Sequence, residues 1–112
     1  MWRTGTEVLF GLDSDPRRQA IRRYGTIANI YAFRLNNPIV FIELQEHPII
    51  LDYGTILDNL DVVNTTIQKR RLLHIDNIKA LVYFADHLDN QAPKALKCVV
   101  HIANAYWWYS YQ

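Results

Sequence analysis

Three aromatic residues, Tyr31, Phe33 and Phe41, lie in two apolar runs separated by Asn36-Asn37-Pro38. Both runs come close to alternating. As strands they turn Asn29, Tyr31 and Phe33 to one face and Ile30 and Ala32 to the other. The second run sets Ile39, Phe41 and Glu43 against Val40, Ile42 and Leu44. Aromatic rings on an open sheet can stack on nucleobases at about 1–3 kcal/mol per base, with little sequence preference. If another layer covers that sheet, the same rings are core.

Basic residues offer a second element of such chemistry. Lys69, Gln68 apart from Ile67, opens the run Lys69-Arg70-Arg71. On a strand, Lys69 and Arg71 share a face, and beside Phe41 they would add phosphate contacts to a stacking surface. The alternative is an edge strand protected by its charge. Arg17, Arg18, Arg22 and Arg23 crowd another segment, which reads as a solvated helix face or a phosphate-binding one.

Catalytic and metal chemistry find no such support. His47, His74, His87 and His101 lack metal-ligand spacing, and Cys98 reads as a small core residue. There is no P-loop, Gly-x-Ser-x-Gly or dinucleotide fingerprint. The expectation is no enzyme, no metal and no cofactor. The C-terminal AYWWYSYQ is different: Tyr106, Trp108, Tyr109 and Tyr111 exceed what one small helix buries beside Trp107, so they read as a partner or self-association surface.

Length and composition bound these readings. A chain of 112 residues, half of them hydrophobic and 21% charged, suits one globular domain, 1–112. A net charge of +1 excludes a strongly basic nucleic-acid arm. One cysteine excludes an internal disulfide framework and suggests a reducing compartment. No apolar run approaches the roughly 18 residues of a membrane span, and the N-terminus lacks a signal-peptide layout. The expected setting is intracellular, with no membrane partner.

The elements that must position these residues follow from local pattern. Residues 6–12 form a buried strand. Ser14-Asp15-Pro16 starts a helix that ends at Gly25. The runs 27–35 and 39–45 make a hairpin. Apolar spacing from Pro48 to Leu60 predicts a second helix, and 67–75 a fourth strand. A helix from Asp76 or Asn77 to Leu88, and a last one from Pro93 with Leu96, Val99, Val100, Ala103 and Trp107 on a stripe, complete the chain. The motif YGTI occurs at 24–27 and 53–56, with the first copy entering a strand and the second inside a helix, so it is no repeat.

The order β-α-β-β-α-β is that of an α+β, ferredoxin-like sandwich, a four-stranded antiparallel sheet backed by two helices, here with a C-terminal two-helix extension over 77–112. Over 6–76 the sequence also resembles the RNA-recognition motif (RRM) family. IRRYGTIANIYAFRL is similar to that family's first-helix end and second strand, NPIVFIELQ to its third-strand signature, VLFGL to its first-strand signature, and LDVVNTTIQKRRLLHI to the approach to its fourth strand. The resemblance implies base stacking by Phe41, with Phe10 or Leu9 as the first-strand aromatic and Tyr31 and Phe33 adding to the surface. Ile39 stands where a second aromatic is usual.

Two functions follow as expectations. One is an RNA-binding module that takes single-stranded RNA on Phe10, Tyr31, Phe33, Phe41, Lys69 and Arg71. The other is a protein-interaction or homodimerisation module on the same scaffold, its sheet covered by the helical tail and its aromatic C-terminus as the contact. They divide on whether residues 77–112 cover the sheet face.

Overall fold

The computed structural model describes residues 3–34, 36–51, 60–89 and 91–104, with the side chains of 103 and 104 excepted. The strands are β1 (Glu7–Phe10), β2 (Arg23–Phe33), β3 (Ile39–His47), β4 (Val62–Asn64), β5 (Lys69–His74), β6 (Ile78–Asp86) and β7 (Leu96–Asn104). They form one antiparallel sheet in the order β4-β7-β6-β1-β2-β3-β5. No α-helix occurs among the described residues; Ile75–Asn77 is a single 3-10 turn. The ferredoxin-like sandwich and its RRM-type helix backing are therefore corrected to a curled, seven-stranded half-barrel.

The curl brings distant strands together. Beyond β3 the chain reaches β4, at the far end of the strand order: Ile49 bridges Val63, the Ile50 N–H donates to the Val62 carbonyl at 2.7 Å, and the Asn64 N–H donates to the Pro48 carbonyl at 3.1 Å. The segment expected as a second helix thus begins with strand-like pairing, and residues 52–59, with the second YGTI, lie outside the described residues.

Both faces of the sheet carry core. One face buries Val8, Phe10, Ile27, Ile42, Leu44 and Leu73, closed by Ile75 and Ile78. The opposite face buries Tyr24, Val63, Val82 and Val99. A smaller cluster of Val62, Leu96 and Cys98 sits behind β4 and β7. At about 25 cal/mol per Å² of apolar surface removed from water, this burial is the main force holding the sheet.

The expected tail helices are strands β6 and β7, and register irregularities explain the misleading spacing. Between β1 and β6, Phe10 pairs with Ile78 and Leu9 with Ala80, leaving Lys79 extra; between β6 and β7, Ile102 is extra. Such bulges break the two-residue period. Ile78 and Val82, which an unbroken strand would turn to one face, are consequently buried on opposite faces in different clusters, so β6 shows no simple alternation. The β-branched Val99, Val100 and Ile102 favour the strand.

The first expected helix is a set of turns. The Asp15 N–H donates to the Leu12 carbonyl at 3.0 Å and the Gln19 N–H to the Pro16 carbonyl at 3.3 Å. Residues 16–24 offer too narrow an apolar face to stabilise so short a helix by packing, and β2 begins already at Arg23. Gly25 is accordingly no helix stop. It lies buried within β2, where a Cβ would stand 2.7 Å from the Gln45 carbonyl oxygen and 2.9 Å from Leu44 Cδ1.

Candidate binding face on strands β2, β3 and β5

The hairpin expected from the sequence forms, and its register assembles the aromatic face. Tyr31 pairs with Phe41 and Phe33 with Ile39 across β2 and β3; Phe41 pairs with His74 and Glu43 with Leu72 across β3 and β5. Directly opposed residues point the same way, so these side chains share a face. The Phe33 and Phe41 rings meet edge to face with centroids 6.0 Å apart, and Phe41 meets His74 in the same manner at 5.8 Å.

These residues line an open groove of about 530 Å³ walled by Tyr31, Phe33, Phe41, Glu43, Arg70 and Leu72. Tyr31 is 41% exposed, Phe33 52% and Leu72 66%. Among the described residues two charges border it, and they meet each other: Arg70 Nε lies 3.3 Å from Glu43 Oε1. The Tyr31 hydroxyl donates to Glu43 Oε2 at 3.0 Å, and that bond to a carboxylate raises the phenol's pKa. The Tyr31 hydroxyl is thereby directed at Glu43.

The sequence-derived site residues separate into three groups. Tyr31, Phe33 and Phe41 come together. Phe10 does not join them: it is wholly buried in the core, and Leu9 packs partly buried against the opposite cluster. Lys69 and Arg71 lie on the reverse of β5, opposite Glu46 and Leu44, and Arg71 Nε donates to Glu46 Oε1 at 2.7 Å. The basic neighbour of the aromatics is Arg70. β6 and β7 extend the sheet beyond β1 and do not cover the aromatic face. Tyr106, Trp108, Tyr109 and Tyr111 lie outside the described residues.

Of the first arginine cluster, Arg22 and Arg23 are held in ion pairs, while Arg17 and Arg18 are exposed. Arg23 donates to both Asp15 oxygens and to Glu46, which also receives Arg71, so two cations and two carboxylates interlock at one end of the sheet. The hydrogen bond from Arg23 holds the Asp15 carboxyl down at about 2. Arg22 forms a bidentate pair with Asp61 at 2.6 and 3.0 Å, and the Tyr24 hydroxyl donates to the same carboxylate at 2.5 Å. Burial raises the Asp61 pKa, but the hydrogen bonds from Arg22 and Tyr24 outweigh it and leave it lowered.

The histidines are dispersed among other roles. His47 is buried, with Nδ1 3.0 Å from the Ile67 carbonyl, Nε2 3.1 Å from Thr26 Oγ1, and its ring edge-on to Phe84. A carbonyl only accepts, so Nδ1 carries a proton and Nε2 is free to accept from Thr26. His101 Nε2 lies 3.3 Å from the Tyr24 hydroxyl. Among the described residues no group of three potential ligands could hold a metal ion, and no helix is long and apolar enough to cross a membrane. Cys98 is buried, and burial raises its thiol pKa. Comparison with protein-family models, curated proteins and solved structures finds no match to the chain.

Proposed function

We propose that this chain is a protein-interaction module whose contact surface is the aromatic face of β2, β3 and β5. The observation that carries the reading is the groove itself: Phe33, Phe41, Tyr31 and Leu72 converge on an open, largely apolar hollow whose two bordering charges are paired. Exposed apolar surface gathered in one place, rimmed by polar groups, is characteristic of a docking site. Tyr and Phe bury much area with few torsions to freeze, which suits them as anchors for a partner's apolar side chains.

RNA binding on the same rings is the second reading, favoured by the exposure of Tyr31 and Phe33. Two features weigh against it. Lys69 and Arg71, the expected phosphate contacts, face the other way, and Arg70, the cation beside the rings, is already paired with the Glu43 carboxylate.

The test is a selection of binders from a random twelve-residue peptide library on the full chain, beside titration with a mixed-sequence single-stranded 20-mer RNA at low and high salt. The proposal expects enriched peptides whose binding shifts the amide resonances of β2, β3 and β5 and is lost in Phe33→Ser. Salt-dependent RNA binding to those strands, with no enriched peptide, overturns it.

A further inference from the structure

The same surface continues past the groove to the free edge of the sheet. β5 ends the strand order and, among the described residues, pairs with β3 alone. Its other edge presents backbone groups that no described strand takes up. Along that edge runs a second hollow, of about 600 Å³, between β5 and the turn Leu12–Ser14; it shares Phe41, Arg70 and Leu72 with the aromatic groove. The two hollows are therefore one surface wrapping a sheet edge.

We infer that β5 receives an extended segment of another protein as an additional strand, with acidic residues at the Lys69–Arg71 end and an apolar residue beside Leu72. This rests on the docking face proposed above and specifies its mode and its partner. An added strand lies about 4.8 Å from β5, and its side chains alternate between faces. On one face they lie opposite Arg70, Leu72 and His74, next to the aromatic groove; on the other, opposite Lys69, Arg71 and Leu73. Main-chain hydrogen bonds supply affinity in this mode, and alternate side chains supply specificity.

Charge selects the occupant. Lys69, Arg70 and Arg71 are consecutive on the edge, and Lys69 and Arg70 are exposed. Among the described residues Lys69 makes no ion pair, whereas Arg70 and Arg71 already share Glu43 and Glu46. The cationic end is thus under-neutralised, and Asp or Glu on the incoming strand completes it. The opposite end of the hollow carries Asp13, so acidic residues belong at the Lys69 end alone. A second copy of this chain fits poorly, because its β5, Lys-Arg-Arg-Leu-Leu-His, carries no Asp or Glu to set against the Lys69 end. Charge of this kind is a usual guard against self-pairing of edge strands.

The experiment uses the full chain and the peptides selected from the random library. Enriched sequences are expected to alternate apolar with other residues and to carry Asp or Glu towards one end. Lys69→Glu combined with Arg70→Glu should weaken binding by about tenfold or more, and replacing the peptide's acidic residues with Lys should restore it to that variant. N-methylation of alternate peptide amides should abolish binding in one phase and spare it in the other. Binding that depends on Phe33 but ignores charge reversal and both N-methyl phases overturns strand addition while leaving the docking face standing. Absence of any enriched peptide, or RNA binding in its place, overturns both. Concentration-dependent dimerisation abolished by Arg70→Glu overturns the assignment of a foreign partner.

Discussion

The Tyr24 hydroxyl donates to the Asp61 carboxylate at 2.5 Å, joining the buried middle of the sheet to the approach to β4. The Tyr24 ring is fully buried, and Asp61 also accepts two bonds from Arg22 and holds the Val99 N–H through its backbone carbonyl at 2.8 Å. Asp61 therefore pins β2, β4 and β7 to one another. Tyr24→Phe removes a hydrogen bond to a charged group and should cost about 1.5–3 kcal/mol by chemical denaturation. Arg22, more than half exposed, should matter less: Arg22→Ala is expected to cost under about 1 kcal/mol.

Gly25 should be irreplaceable for a different reason. A Cβ added there would stand 2.7 Å from the Gln45 backbone carbonyl oxygen, which cannot swing aside without parting β2 from β3. Gly25→Ala is expected to destabilise by about 1–3 kcal/mol through overpacking, read as a lowered denaturation midpoint. A variant as stable as the parent contradicts the close approach.

Acid should act on the Arg23 network. The Asp15 carboxyl falls from 3.8 unfolded to about 2 folded, chiefly through the Arg23 hydrogen bond. A depressed folded-state pKa contributes stability that is present above the unfolded value and lost as pH falls through the folded one. Stability should accordingly decline between about pH 4 and pH 2, and Asp15→Asn should flatten that decline. Denaturation midpoints across this window check it; an unchanged slope in the variant contradicts it.

Two phenylalanines distinguish core from surface. Phe10→Ala, at a fully buried position, should cost about 3–5 kcal/mol. Phe33→Ala, at a residue 52% exposed, should cost under about 1 kcal/mol. Thermal melts of both variants decide this, and equal losses would mean that Phe33 is core.

The hairpin was legible because its signals are local. Alternation in 27–35 and 39–45 and the Asn-Asn-Pro break fix which residues share a face, and the structure turns Tyr31, Phe33 and Phe41 out together. The helices were misread because β6 and β7 bury apolar side chains on both faces and carry bulges, so neither shows a strand's alternation, and because Gly25, which looks like a helix stop, is explained only by Gln45, twenty residues away. Arg70 was passed over in favour of Lys69 and Arg71, and Leu72 was not singled out, for a related reason. Alternation says that they oppose Lys69 and Arg71, but only the register of β5 on β3, with Glu43 against Leu72, says which pair faces the aromatics. The Tyr24–Asp61 bond spans 37 residues and had no sequence signal.

The most direct test of the docking face is the affinity of a library-selected peptide for the parent chain and for Phe33→Ser, measured in parallel with the denaturation midpoint of each. Affinity should fall about tenfold or more while the midpoint is nearly unchanged, because Phe33 is exposed and acts by contact. Equal affinity for the two folded proteins would contradict it.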